Sequence, residues 1–458
     1  MDRSTHAARR ADLRRRVDGG AILFMGLIDA PRNYPANPYP FRQDSHFLYY
    51  VGTNLAGMAL LLTPDGRSTL YGPPEHPDDL VWHGPHPVLS DHAEATAADA
   101  SGDIAGLADM LAELQKREIP VHYLPPYRAE TILQLSGLLG VSCDEVAAGA
   151  SEELVRAVVV MRSTKTDAEV EEIEAALEVT AEAYAVAMKM TKPGLVEAQV
   201  TGAMQGVALS HDRAQSFLPI TSVRGEVLHN NHYANTVAEG DLLVMDSGAE
   251  SPRFYASDIT RTIPVSGRFT PEQKAVYQIV LDAQLAAIAV AKPGVSNREL
   301  HFVAARTITA GLKELGLMKG DVDAAVEAGA HALFYPHGIG HMLGLDVHDM
   351  EDLGDAVGYP EGEPRSTQFG LAFLRLAKTL EPGFVITVEP GIYFVPALIE
   401  RWSFEKRHTA FINYEAVERY RNFGGIRIED DLLITEEGHR VLGPPIPKTI
   451  KDVEAAMA

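Results

Sequence analysis

The sequence predicts an α/β (α+β) protein of two domains: a small amino-terminal α/β domain over residues 1–160, then a larger pseudo-symmetric domain over residues 161–458. Three observations carry this. The chain has 458 residues, more than one ordinary hydrophobic core spans. Its first third alternates short apolar strands with helical stretches. A helix pattern that opens near Met161 then returns about one hundred residues later with the same exit sequence, which reads as an internal duplication.

The amino-terminal ARRADLRRR followed by AILFMGLI imitates a secretory signal. The apolar run is short, Asp29 closes it, and no clear small-residue cleavage site follows, so the segment reads as a basic surface helix leading into a core strand. GMALLLT and PVHYLP supply further strands, and DIAGLADMLAELQKR supplies a helix. The stretch from Tyr71 to Pro87 is rich in His, Pro and aromatics but holds no recognisable catalytic set. In the second domain Thr166 and Glu169 form a capping-box pattern, and Val170, Ile173, Leu177 and Tyr184 recur at helical spacing up to the exit TKPGLVE. Thr270, Pro271 and Gln273 open the matching helix, with a stripe of Val276, Ile279, Val280 and Ala283 and the exit AKPGVSN. Lys-Pro-Gly is also a common helix stop; a true duplication puts the active site between the two halves. Asp349 to Gln368, rich in Gly, Pro and charge, is expected to be an exposed loop.

Composition narrows the function. Apolar and charged fractions are those of an ordinary globular protein. The formal charge of −23 repels nucleic-acid phosphate and anionic membranes, and no apolar run is long enough to span a bilayer. The single cysteine, Cys143, excludes an internal disulfide and fits a reducing compartment, so a cytoplasmic location is expected.

The chemistry lies in five strings of the second domain. DLLVMDSGAE ends an apolar strand at Asp246, and RFYASDITRT opens another with Asp258; adjacent antiparallel strands bring such acids together. PHGIGHMLGLDVHD carries His337, His341 and His348. Gly338, Gly340 and Gly344 argue against a helix there and for backbone packed closely around a site. FVITVEPGIY ends a strand at Glu389. GIRIEDDLLIT places Arg427 and Glu429 on one strand face by the two-residue period, with Ile426 and Ile428 on the other. A Glu on an inward face needs a partner, and either Arg427 or a cation serves. Four carboxylates and one imidazole suit hard or borderline divalent ions, Mn²⁺ first, with Co²⁺, Fe²⁺ or Zn²⁺ as alternatives. Four acids exceed the need of one ion, so two ions that share acids are expected, acidifying a water for amide hydrolysis.

These strings, in this order, closely resemble those of the pita-bread metallopeptidases, the group of methionine aminopeptidase, aminopeptidase P and prolidase. The resemblance covers nearly the whole chain, because PFRQDSHFLYYVG resembles the non-catalytic amino-terminal domain of aminopeptidase P and prolidase. It implies that Asp246 chelates one ion, His341 and Glu389 the other, and Asp258 and Glu429 bridge both. It implies further that Glu389 shuttles a proton to the leaving proline nitrogen. His229, in EVLHNNHYAN, matches the family histidine before the first Asp, and with His348 it is expected to stabilise the oxyanion or orient substrate. His337 and Arg427 match positions behind the ligands and in the pocket. LHNNHY departs from the family's LHY, which leaves open whether His229 or His232 faces the substrate.

Two features resemble prolidase, the Xaa-Pro dipeptidase. GYPEG follows the VHD string, and FLRLAKTLEPG places Arg375 fourteen residues before Glu389, where a guanidinium fork captures the substrate's terminal carboxylate. The resemblance therefore implies hydrolysis of Xaa-Pro bonds in short peptides, most directly dipeptides. The alternatives are an aminopeptidase P acting on longer peptides and a binding module that has lost catalysis. It also implies a homodimer, in which the amino-terminal domain walls off the partner's active site; the stretch around Trp82 and His83 is the candidate wall.

Overall fold

The computed structural model describes residues 3–458 except Glu75, Pro77 and His83. The chain forms two compact units: residues 1–162 with 351–356, and residues 163–350 with 357–458. His83, expected beside Trp82, lies outside the described residues.

The first unit is built on a five-stranded mixed sheet: β1 (Ala21–Met25), β2 (Ala59–Leu62), β3 (Ser68–Gly72), β4 (Ala100–Asp103) and β5 (Val121–His122), in the order β4-β3-β2-β1-β5. Leu23 and Leu61 are directly opposed across β1 and β2 and share one core face with Tyr71. The helix Ala105–Lys116 covers that face with Leu107, Leu111 and Leu114, one stripe at helical spacing.

The helix Arg3–Arg16 is not a plain surface helix. Arg9 and Arg10 are buried, because both reach backbone carbonyls that the fold leaves inside. Arg9 donates to the Tyr49 carbonyl (3.1 Å) and lies over the Tyr49 ring, while Arg10 donates to the carbonyls of Tyr50 (2.8 Å) and Thr96 (2.9 Å). The segment Glu351–Ala356 joins this unit, where Asp352 accepts from His46 (3.0 Å) and His46 accepts from Arg162 (2.8 Å).

The second unit contains the internal repeat. Thr270 caps the helix Pro271–Val290 in a reciprocal capping box with Gln273, while at the start of the helix Asp167–Met190 the Glu169 carboxylate accepts from the N–H and the hydroxyl of Thr166. Beyond the two Lys-Pro-Gly exits the backbone makes the same exchanges twice. Gly194 donates to Val237 and Val237 to Leu195; Gly294 donates to Leu380 and Leu380 to Val295. The helices Glu197–Ser210 and Asn297–Glu314 follow. Each half then contributes a three-stranded antiparallel sheet: β6 (Ile220–Ser222), β7 (Leu242–Ser247) and β8 (Ile259–Pro264) in one, and β9 (Val385–Val388), β12 (Asp430–Ile434) and β13 (His439–Val441) in the other. A separate ladder pairs β10 (Gly391–Tyr393) with β11 (Gly425–Arg427).

The segment expected to be an exposed loop is partly buried: Asp349, Met350, Leu353, Val357 and Tyr359 are inside, while Asp352 and 354–356 are exposed. Asp349 pairs with Lys165 at 3.0 Å, with both side chains 1% exposed. Removing one partner of such a pair leaves an uncompensated buried charge, a loss of about 3–5 kcal/mol. Composition marked this stretch as polar but could not show that its acid has a buried cation waiting. Among the described residues no helix is long and apolar enough to cross a membrane.

Candidate active site

β7 and β8 set the first two acids. Asp246 lies opposite Thr260, and Asp258 stands one residue before β8, so the two-residue period turns Asp258 and Thr260 to one face. Glu429 does not lie inside a continuous strand as the sequence suggested, whereas Glu389 follows the end of a strand as expected. Glu389 occupies the break between β9 and β10, and Glu429 the break between β11 and β12. At each break the chain changes partners, since β9 pairs with β12 but β10 with β11. Pro390 cannot donate to a ladder, which favours the change at the first break. The acids' N–H groups are still satisfied: Glu389 donates to the Ile339 carbonyl (2.8 Å) and Glu429 to that of Thr260 (3.1 Å).

The histidine string is irregular, as its glycines predict. It runs along β9, where Thr387 donates to the His341 carbonyl (3.0 Å) and Leu343 to that of Val385 (2.9 Å). A Cβ on Gly340 would overlap the Thr387 carbonyl oxygen, so only glycine allows this approach.

One cavity of about 630 Å³ collects the side chains. Asp246, Asp258, His341, Glu389 and Glu429 line it, together with His229, His337, His348, Arg375 and Arg427. Phe217, Ile220, Phe369 and Phe373 add apolar wall. One expected residue is elsewhere. His232 is exposed and absent from the lining, while His229 lines the cavity; the His232 backbone N–H donates to the Asn230 side chain (3.1 Å). Trp82, expected to face a partner's active site and not its own, is 76% exposed in the first unit.

The acids repel one another. Burial first, then Glu429, Asp246, Asp431 and Glu389, hold the Asp258 carboxyl well above the usual range. Burial, Glu389 and Asp246 raise that of Glu429, against the opposing pull of Arg427 and Thr260. Asp258, His341 and Glu429 each offer a ligand atom within 4.8 Å of the others. The Oδ1 atoms of Asp246 and Asp258 are buried without a hydrogen-bond partner among the described residues. His341 Nδ1 faces the Met342 carbonyl (3.0 Å), which can only accept, so the proton sits on Nδ1 and Nε2 turns to Asp258 (3.4 Å) and Glu389 (3.7 Å) as an acceptor. Unpartnered buried oxygens, like charges held together and an imidazole of the right tautomer fit divalent cations.

Behind the acids is a network that the motifs did not reveal. Arg427 donates to Asp246 (2.6 Å), to the Thr260 hydroxyl (3.1 Å) and to the Tyr393 hydroxyl (3.0 Å). Thr260 donates to Glu429 (2.6 Å), and the backbone N–H of Asp258 donates to Asp431 (3.1 Å). His337 Nδ1 donates to the Gly338 carbonyl (2.8 Å), so its Nε2 accepts from Tyr393 (2.9 Å). Burial first, then Arg427, push His337 down to about 3, which keeps the ring neutral. Tyr393 and Thr260 each lie an even number of residues from a cavity acid. Strand periodicity therefore carried a signal for them, though not their partners.

The molecule can now be compared with known proteins. The model of "Metallopeptidase family M24" matches residues 171–436, and that of "Aminopeptidase P, N-terminal domain" matches residues 6–122. The chain is 33% identical to the Xaa-Pro dipeptidase of Homo sapiens, over 96% of this chain and 89% of that protein. It is 32% identical to a probable Xaa-Pro aminopeptidase of Verticillium alfalfae, over 98% and 95%. Among solved structures, Pseudomonas aeruginosa aminopeptidase PepP superposes with a TM-score of 0.83 at 30% identity, over 100% of this chain and 98% of that one. Two unit-scale matches in the expected order, and likeness along nearly the whole length, agree with the fold and the cavity: the chain belongs to metallopeptidase family M24.

Proposed function

We propose that this protein is a Xaa-Pro dipeptidase that hydrolyses the bond before proline in short peptides with the help of two divalent metal ions. The observation that carries the reading is the convergence of four carboxylates, one imidazole and Arg375 on a single cavity. Asp246 would hold one ion, His341 and Glu389 the other, with Asp258 and Glu429 between them. Mn²⁺ is the first choice for so oxygen-rich a set, then Co²⁺, Fe²⁺ or Zn²⁺. When bound, such ions supply Lewis acidity, making a water more acidic and the scissile carbonyl more electrophilic.

The protein's own groups do the rest. Glu389, 19% exposed at the cavity, accepts the proton of the attacking water and hands it to the proline nitrogen as the bond breaks. Burial first, then Arg427 and Arg375, lower the basicity of His229, so at neutral pH it acts as a neutral N–H donor; with His348 it faces the carbonyl oxygen as negative charge develops. Arg427 offsets part of the acids' charge, and His337, held neutral, accepts from the Tyr393 hydroxyl that Arg427 also contacts. Arg375 binds the terminal carboxylate of the dipeptide.

A second reading, an aminopeptidase P cleaving longer peptides, is favoured by the solved neighbours, which carry that name and match over 98% of their length. The test is to assay purified, metal-loaded protein on Ala-Pro and Ala-Pro-Ala, with elemental analysis before and after a chelator. The expected result is preferred cleavage of Ala-Pro, lost with the metal and restored by Mn²⁺. Preference for Ala-Pro-Ala turns the reading to aminopeptidase P, and full metal occupancy without cleavage turns it to a binding module.

The reading includes a cytoplasmic homodimer, with the first unit around Trp82 as the contact, since Leu80, Val81 and Trp82 stand exposed side by side at 62%, 76% and 76%. Light scattering should give twice the chain mass of 49.7 kDa; a fully active monomer would count against it.

A further inference from the structure

We infer that Tyr359 and Arg365 are positioning residues for Arg375, and that through it they set the preference for a peptide ending at proline. The inference rests on the dipeptidase reading above. Arg375 stands in an irregular segment between a short 3₁₀ turn, Leu371–Phe373, and β9. It belongs to no strand whose ladder could fix it, yet a guanidinium that grips a carboxylate through two parallel bonds must be aimed closely.

The backbone on both sides of Arg375 is held from outside the segment. The Leu374 carbonyl, which shares a rigid peptide plane with the Arg375 nitrogen, accepts from the Tyr359 hydroxyl (2.6 Å) and from Arg365 (3.1 Å). Tyr359 is buried, and its ring lies 5.0 Å below the Arg365 guanidinium, so the two donors hold one another in place. On the other side, the Gly358 carbonyl accepts from Ala377 (2.7 Å) and Lys378 (3.1 Å). Gly358 also packs so closely on the Arg375 carbonyl that a Cβ there would overlap it. Asn297 then takes the Leu376 carbonyl (3.0 Å) with its side chain and the Lys378 carbonyl (2.9 Å) with its backbone N–H. The peptide plane before Arg375 is held by two hydrogen bonds, the one after it by the close packing of Gly358 on the Arg375 carbonyl, and the next by bonds to Gly358 and Asn297, which together restrict its φ and ψ and with them the direction of its Cα–Cβ bond. Residues 358–365 thus act as a bracket for one side chain that lines the cavity.

A bracket that serves only stability affects all substrates alike; one that aims Arg375 affects only those with a carboxylate at that point. Tyr359→Phe keeps the ring beneath Arg365 and removes the bond to Leu374. Arg365→Gln removes the second donor from an exposed position, so it tests the idea even if the first variant folds poorly. KM and kcat for Ala-Pro and Ala-Pro-Ala should be measured for both, with metal content, beside Arg375→Ala. The expected result is an about three- to tenfold rise in KM for Ala-Pro in Tyr359→Phe, with a smaller rise in Arg365→Gln. Ala-Pro-Ala kinetics, kcat and metal content should hold. Equal changes on both substrates, or none, overturn the inference. If Arg375→Ala alone selectively weakens Ala-Pro, the inference falls and the dipeptidase reading stands; if Arg375→Ala harms both substrates equally, both fall.

Discussion

Asp258→Asn and Glu429→Gln should each abolish turnover and lower the metal content of the purified protein. Both carboxylates are buried in a region already crowded with negative charge, where burial and the neighbouring acids favour the neutral form. Bound cations would relieve that crowding without protonation, so metal binding depends on the charge of these two groups. An amide keeps their shape but carries no charge and bridges two ions poorly. The loss of one compensating charge in a buried site is about 3–5 kcal/mol, or roughly 150- to 4,000-fold in metal affinity. The metal-free proteins should behave differently. A neutral amide removes a repelling acid, so without metal each mutant should be at least as stable as the wild type. Elemental analysis, activity and thermal melts with and without chelator read all three quantities. Full metal occupancy with near-normal activity in either mutant would sink the bridging assignment. Loss of stability in the metal-free mutant would show that the carboxylate supports the fold.

The next largest effect is expected at Arg375. A dipeptide offers its carboxylate to the guanidinium, while a tripeptide places an amide there instead. A charge-assisted bidentate contact in a partly dry pocket contributes about 1.5–3 kcal/mol, roughly ten- to hundredfold in kcat/KM. Arg375→Ala should therefore weaken Ala-Pro hydrolysis by that factor, change Ala-Pro-Ala hydrolysis little and leave metal content intact. Arg375→Lys should recover only part of the loss, because an ammonium keeps the charge but not the fork. Equal losses on both substrates would remove the dipeptidase argument and favour the aminopeptidase P reading.

Much of this was legible in the sequence because it is local. The helix starts at Thr166 and Thr270 involve four residues each, and both helices begin where the local pattern puts them. The glycines among the histidines excluded a helix, and Gly340 is needed where the chain meets Thr387. The acids and His341 could be named in advance because each sits in a short string beside a turn or a strand end.

What the strings could not contain is the identity of distant partners. Thr260 meets Glu429 across 169 positions, and Arg427 meets Asp246 across 181. Such contacts arise only when the two halves of the second unit close on each other. The strand break at Glu429 has the same origin, since a change of sheet is a decision about neighbours and not about propensity. Arg9 and Arg10 read as surface charge until the fold presents buried carbonyls to them. Asp349 read as loop until Lys165 was found inside. His232 and His229 are three residues apart and chemically alike, yet one is exposed while the other lines the cavity. The sequence by itself determined where the two long helices of the repeat begin and which side chains are candidates to hold a metal. The tertiary structure decided which charges are buried and which partners neutralise them, because desolvation and Coulomb energy depend on distances that no local pattern encodes.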